Sequence, residues 1–103
     1  HTISVQELNK RRATSPHLCL IDVREDYEWE EGHIPGAIHI PKDELVANIA
    51  KIPGKDQPIY LHCRGGVRSL HAAHCLADLG YQEVYSIDGG IMDWAKAGYP
   101  IEV

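Results

Sequence analysis

The stretch "PIYLHCRGGVRSLHAAHCLADLG" (residues 58–80) holds an apolar run, a glycine pair between two arginines, and an amphipathic segment, in that order. "PIYLHC" is short, opens on a proline and is nearly continuous in apolar residues, which predicts a strand covered on both faces. Downstream, Ala72, Cys75, Leu76 and Leu79 fall on one stripe at helical spacing, and Gly80 stands where a helix C′ residue belongs. The stretch therefore reads as strand, tight loop and helix, and its loop carries Cys63.

The same alternation extends in both directions. "LCLIDV" (residues 18–23) and "EVYSI" (83–87) read as further buried strands, and "HIPGAIHIP" (33–41) as a turn and a short strand between Pro35 and Pro41. "TISVQELNKRRA" (2–13) opens a helix, with Ser4 and Glu7 spaced to satisfy each other's backbone donors in a capping box. "EDYEWEEG" (25–32) reads as a short helix stopped at Gly32, and "IMDWAKAG" (91–98) as a last one. "KDELVANIAKI" (42–52) is amphipathic, with Leu45, Ile49 and Ile52 at helical spacing. Strands alternating with helices predict one α/β domain over residues 1–103, with a mainly parallel sheet and helices on both faces.

Composition narrows the partners. The net charge of -5 disfavours nucleic acid and anionic membranes. No apolar run approaches the ~20 residues that span a bilayer. The chain opens at His1 rather than Met, so we expect a processed or excised piece of a longer protein, with a fused domain in the parent. Cys19, Cys63 and Cys75 make an odd count without regular spacing, which argues against a disulfide framework and against paired-cysteine zinc. Reduced thiols point to a reducing compartment, and we expect the cytoplasm.

In parallel sheets ligands gather beyond the carboxyl ends of the strands, and Cys63 stands there, just ahead of a helix. A thiolate in that place feels the helix dipole and the unpaired N–H groups of the first turn, while Arg64 and Arg68 add positive charge. The thiol is therefore expected to titrate well below the free value of ~8.5. Gly65 and Gly66 let successive N–H groups turn inward as an anion-binding nest. Ser69 is placed either to hydrogen-bond the thiolate or to cap the helix.

Other reactive side chains have plainer readings. Cys19 belongs to strand packing, and Cys75 lies roughly 18 Å along the helix from Cys63 at ~1.5 Å per residue, too far to resolve it. His71 and His74 are i, i+3 neighbours with no third ligand indicated, so no metal is expected. His62 precedes the nucleophile, but adjacent strand residues point to opposite faces, which argues against a base. His33 is read as a structural hydrogen-bonding residue, and Trp29 and Trp94 as packing residues. Asp22 and Arg24 close the second strand, where they either orient the Cys63 loop or pair with each other; mutual pairing is the favoured reading.

The chain resembles a single-domain rhodanese, a member of the sulfurtransferase family. "CRGGVR" (63–68) is similar to that family's six-residue active-site loop. "DVREDYEWEEGHIPGAIHIP" (22–41) is similar to its upstream signature and "GGIMDWAKAGYP" (89–100) to its closing one. The resemblance implies a rhodanese-like three-layer fold with a five-stranded sheet and no cofactor. It implies catalysis by Cys63, which takes sulfane sulfur from a small donor as a persulfide. The sulfur then passes to a thiol or cyanide acceptor, while Arg64, Gly65, Gly66, Val67, Arg68 and Ser69 bind the anion. Cysteine phosphatases place five residues between cysteine and arginine; here four intervene. A phosphatase or arsenate reductase of the same fold, and a non-catalytic interaction module, are the alternatives. Thiosulfate-using members commonly carry lysine where this chain has Gly65, and two-domain members an arginine where it has Glu28. Both differences remove positive charge, so a low-molecular-weight or protein persulfide joins thiosulfate as a candidate donor.

Overall fold

The computed structural model describes residues 1–103. Nine elements follow one another: β1 (Thr2–Ile3), α1 (Val5–Thr14), β2 (Cys19–Asp22), α2 (Asp26–Glu31), β3 (Ile38–His39), β4 (Ile59–His62), α3 (Val67–Asp78), β5 (Val84–Ile87) and α4 (Gly90–Lys96). The strands form one sheet in the order β1-β5-β4-β2-β3, and every neighbouring pair is parallel. The only antiparallel pairing is an isolated bridge between His33 and Glu102. The expected five-stranded α/β architecture is present.

Strand alternation divides the core in two. Cys19, Ile21 and Val23 of β2 and its extension join Ile59, Leu61 and Cys63 on one face, packed with Ala72, Ala73 and Leu76 of α3. Leu20 and Tyr60 point to the other face, where Val5 and Leu8 of α1, Ile34 and Trp94 of α4 close over them. Both faces of the central strands are covered, which is why "LCLIDV" and "PIYLHC" read as continuous apolar runs.

Three sequence expectations shift. The segment 42–52 is not an α-helix but two 3-10 turns, Lys42–Glu44 and Ile49–Lys51. Between them the Glu44 carbonyl accepts both the backbone N–H of Asn48 at 3.1 Å and its side-chain N–H at 2.8 Å. Pro53 then keeps Ile52 extended. Leu45 and Ile52 are nevertheless buried, with Ile49 packed beside them. Only half of the capping box forms at α1: Ser4 Oγ accepts the Glu7 N–H at 3.1 Å, while Glu7 binds Arg11 at 2.8 Å. On α3 the buried stripe is Ser69, Ala72, Ala73 and Leu76. Cys75 is half-buried and Leu79 is exposed, because the chain already turns away at Gly80, whose N–H bonds the Ala77 carbonyl while that of Tyr81 bonds Leu76.

Candidate active site

Cys63 leaves the carboxyl end of β4 and turns its side chain toward α3, where it is only 1% exposed. Its Sγ accepts the Gly66 N–H at 3.1 Å and the Ser69 N–H at 3.4 Å, and lies 3.5 Å from Ser69 Oγ. Gly66 makes this curl: its φ of 117° is one that side chains with a Cβ rarely adopt. The loop closes onto the N-terminus of α3, and the N–H groups turned to the sulfur are those of Gly66 and Ser69 rather than of Gly65.

Burial pushes the Cys63 thiol up. Hydrogen bonds from the Ser69 hydroxyl and from the N–H groups of Ser69, Gly66 and Arg68 outweigh burial and hold it below the ordinary thiol value. The depression therefore comes from oriented donors, not mainly from the two arginines credited in the sequence. Arg64 is exposed and makes no ion pair. Arg68 turns to Glu28, with Nη1 at 2.6 Å from Oε1 and Nη2 at 2.9 Å from Oε2. Gly65 faces open space, and Val67 is 71% exposed at the mouth of the loop.

Asp22 and Arg24 are buried and bound to each other. Arg24 Nη2 lies 2.8 Å and Nε 3.0 Å from the Asp22 carboxylate, and Nη2 also donates to the Gly32 carbonyl at 2.7 Å. Neither side chain bonds the loop from Cys63 to Ser69, so the mutual pairing is the one found. His62 pairs in register with Asp22, on the face opposite the thiol. Burial lowers its pKa against the pull of Asp22. As a neutral ring it donates from Nδ1 to the Cys63 carbonyl at 3.3 Å. Its Nε2 then faces Asp22 Oδ2 at 3.6 Å, acceptor against acceptor, without a partner. His33 Nδ1 bonds the Trp29 carbonyl at 3.0 Å and its ring stacks on the Trp29 indole; Trp94 is buried and donates to the Pro100 carbonyl. Cys19 is buried in β2, which pushes its thiol up to about 11.

Three parts of the site escape a reading of the sequence. Ser86 on β5 is buried, with its hydroxyl 2.8 Å from that of Ser69. A small polar residue inside the apolar run "EVYSI" is the available signal. The Glu28–Arg68 pair joins residues far apart in sequence, and nothing local announces it. The third is the N-terminus of α4: Ile91 donates to the Cys63 carbonyl at 2.9 Å and Met92 to that of Arg64 at 3.2 Å. Beside the loop, between α2 and α4, lies a cleft of about 320 Å³ lined by Arg24, Glu28, Arg64, Ile91, Met92 and Ile101, among others; Cys63 itself is not in its wall.

A parallel α/β sheet whose central strand ends in a hydrogen-bonded cysteine, curled over a helix N-terminus, sets backbone donors where they favour an anionic sulfur. Comparison supplies the family. A family model described as "Rhodanese-like domain" matches residues 4–97, and the chain belongs to that family. It is 35% identical over 99 residues to a protein named "Sulfurtransferase" from Allochromatium vinosum, covering 96% of this chain and 92% of that one. It is 38% identical to the "Probable adenylyltransferase/sulfurtransferase MoeZ" of Mycobacterium tuberculosis, but spans only 26% of that protein's length. Among solved structures, the rhodanese-like domain protein of Staphylococcus aureus superposes with a TM-score of 0.87 at 31% identity, covering 99% of this chain and 98% of that one.

Proposed function

We propose that this chain is a rhodanese-type sulfurtransferase that carries sulfane sulfur as a persulfide on Cys63. The observation that carries this reading is the hydrogen bonding of Cys63 Sγ, which accepts the Gly66 and Ser69 N–H groups and lies 3.5 Å from the Ser69 hydroxyl. Such donors stabilise an anionic sulfur before and after transfer.

With thiosulfate, the Cys63 thiolate attacks the outer sulfur. A new S–S bond forms to Cys63, the bond to the sulfonate sulfur breaks, and sulfite leaves with the electron pair. With an organic persulfide the attack falls on the terminal sulfur and a thiolate leaves. In the second half, cyanide or an acceptor thiolate attacks the terminal sulfur and Cys63 departs as thiolate. Neither half needs an outside oxidant or reductant. The Cys63 carbonyl is held by Ile91 and by His62, so the backbone stays fixed while the sulfur changes partners.

The phosphatase alternative fits less well. A phosphoryl group needs the loop arginine to offer two parallel N–H groups, and here both terminal nitrogens of Arg68 face Glu28. The three cysteines are free, which supports a reducing compartment and hence the cytoplasm. The test is a coupled assay: sulfur transfer to cyanide with turnover, and no hydrolysis of aryl phosphates. Robust phosphatase turnover would overturn the reading.

A further inference from the structure

The charges around the Cys63 loop are unevenly committed. Of the three arginines at the cleft and loop, Arg24 is spent on Asp22 and Arg68 on Glu28, each through two nitrogens. Arg64 alone has no acidic partner. The Glu28 carboxylate is itself fixed. It is 8% exposed, and its Oε1 accepts the Glu25 N–H at 3.0 Å, completing the first turn of α2. Fork-to-fork pairing of this kind is directional as well as strong. Arg68 directly precedes Ser69, whose N–H bonds the Cys63 sulfur at 3.4 Å, so whether its charge is free bears on what approaches that atom.

We propose that Glu28 determines donor specificity by withdrawing Arg68 from the incoming substrate, so that the site prefers donors with a single negative charge and an organic group over dianionic thiosulfate. The inference rests on the sulfur-transfer reading above and names the substrate class for the same site. A dianion entering the cleft meets one uncompensated cation, Arg64, and an exposed carboxylate, Glu31. An organic thiosulfonate or persulfide carries one charge for Arg64. Its organic group lies against Ile91, Met92 and Ile101 of the cleft wall, where burial of apolar surface adds affinity.

Thiosulfate and methanethiosulfonate make the cleanest pair of probes, because one oxyanion is exchanged for a methyl group while the reacting S–S bond is kept. Cys63 attacks the outer sulfur of either, and sulfite or methanesulfinate leaves with the bonding pair. The experiment is steady-state transfer to cyanide by wild type, Glu28→Gln and the double variant Glu28→Gln/Arg68→Gln, at low and moderate salt. Intact mass is recorded to confirm the persulfide.

Wild type is expected to show the higher kcat/KM with methanethiosulfonate. Glu28→Gln frees the Arg68 charge, and the thiosulfate-to-methanethiosulfonate ratio should rise about tenfold, through KM, with a steeper salt dependence for thiosulfate alone. The double variant replaces the pair by two neutral amides, and its ratio should return close to that of wild type. A ratio unmoved by Glu28→Gln, or both donors falling together, would overturn the inference and leave Glu28 a helix-capping residue. If Glu28→Gln fails to fold, the double variant still decides. Selective loss of thiosulfate there would mean that Arg68 already serves the dianion in wild type. Absence of a persulfide from either donor would instead remove the sulfur-transfer reading, and this inference with it.

Discussion

Gly90 approaches Cys63 so closely that a Cβ on it would stand 2.3 Å from the Cys63 carbonyl oxygen, and 2.6 Å from that of Arg64. Its φ of 53° adds a second constraint. The contact lets α4 dock the N–H groups of Ile91 and Met92 on the carbonyls of Cys63 and Arg64. The closing "GGIMDW" motif is thereby tied to the Cys63 loop through backbone contacts alone.

Gly90→Ala is therefore expected to destabilise the fold by about 2 kcal/mol or more, from overpacking and backbone strain. A fall of roughly 10 °C in melting temperature corresponds to that cost in a domain of this size. Persulfide formation should slow as well, because the loop backbone must move. An unchanged melting temperature would show that α4 can withdraw from the loop without cost.

Ser69→Ala removes one donor from the thiolate. A hydrogen bond to a charged group is worth about 1.5 kcal/mol or more, or about one pH unit in the titration of Cys63. The folded-state value is depressed, so the thiolate and the stability it brings are present above the unfolded thiol's ~8.5 and fade as pH falls through the lower folded value. In Ser69→Ala this transition should move to higher pH. Thiolate absorbance titrated against a Cys63→Ala blank measures it, and an unmoved midpoint would remove Ser69 from the nest.

Gly65→Lys introduces charge where a Cβ would meet nothing within 4 Å and φ is not positive, so the fold should tolerate it. Thiosulfate turnover should improve relative to a persulfide or thiosulfonate donor by about tenfold, the equivalent of ~1.4 kcal/mol in the transition state. Kinetics with both donors decide it; a constant ratio would mean that charge at this position does not set donor choice.

Glu28 offers a test by acid. Its pairing with Arg68, against the cost of burial, lowers its carboxyl to about 2, compared with ~4.3 in an unfolded chain. The stability it contributes is complete above the unfolded value and is lost as pH falls from there toward the folded one. Unfolding of wild type should therefore be more acid-sensitive between about pH 5 and 2 than that of Glu28→Gln. Parallel acid profiles for the two proteins would argue against a strong pair.

What the sequence makes legible is what short-range pattern encodes. Continuous apolar runs place β2, β4 and β5, and the position of Cys63 after one of them locates the loop. β1 is not visible there, because Thr2–Ile3 is too short to show a period and exists only through pairing with Ser86 and Ile87. The stretch from Lys42 to Ile52 keeps its buried face but breaks into two 3-10 turns, and Pro53 holds Ile52 extended at its end. Within the site, the hydrogen bonds that curl the loop follow from glycine and serine spacing. The resemblance alone places Glu28 near the donor site, while its pairing with Arg68 and the approach of Ser86 to Ser69 arrive by tertiary contact.

The central claim is that Cys63 carries transferable sulfur, and intact-mass measurement after incubation with a panel of donors tests it most directly. One added sulfur atom is expected, mapped to Cys63 by peptide analysis, removed by cyanide or thiol, and retained in Cys75→Ser and Cys19→Ala. Cys63→Ala should take up none and show no turnover. Sulfur that maps to Cys75, or a chain that stays unmodified by every donor, would contradict the account.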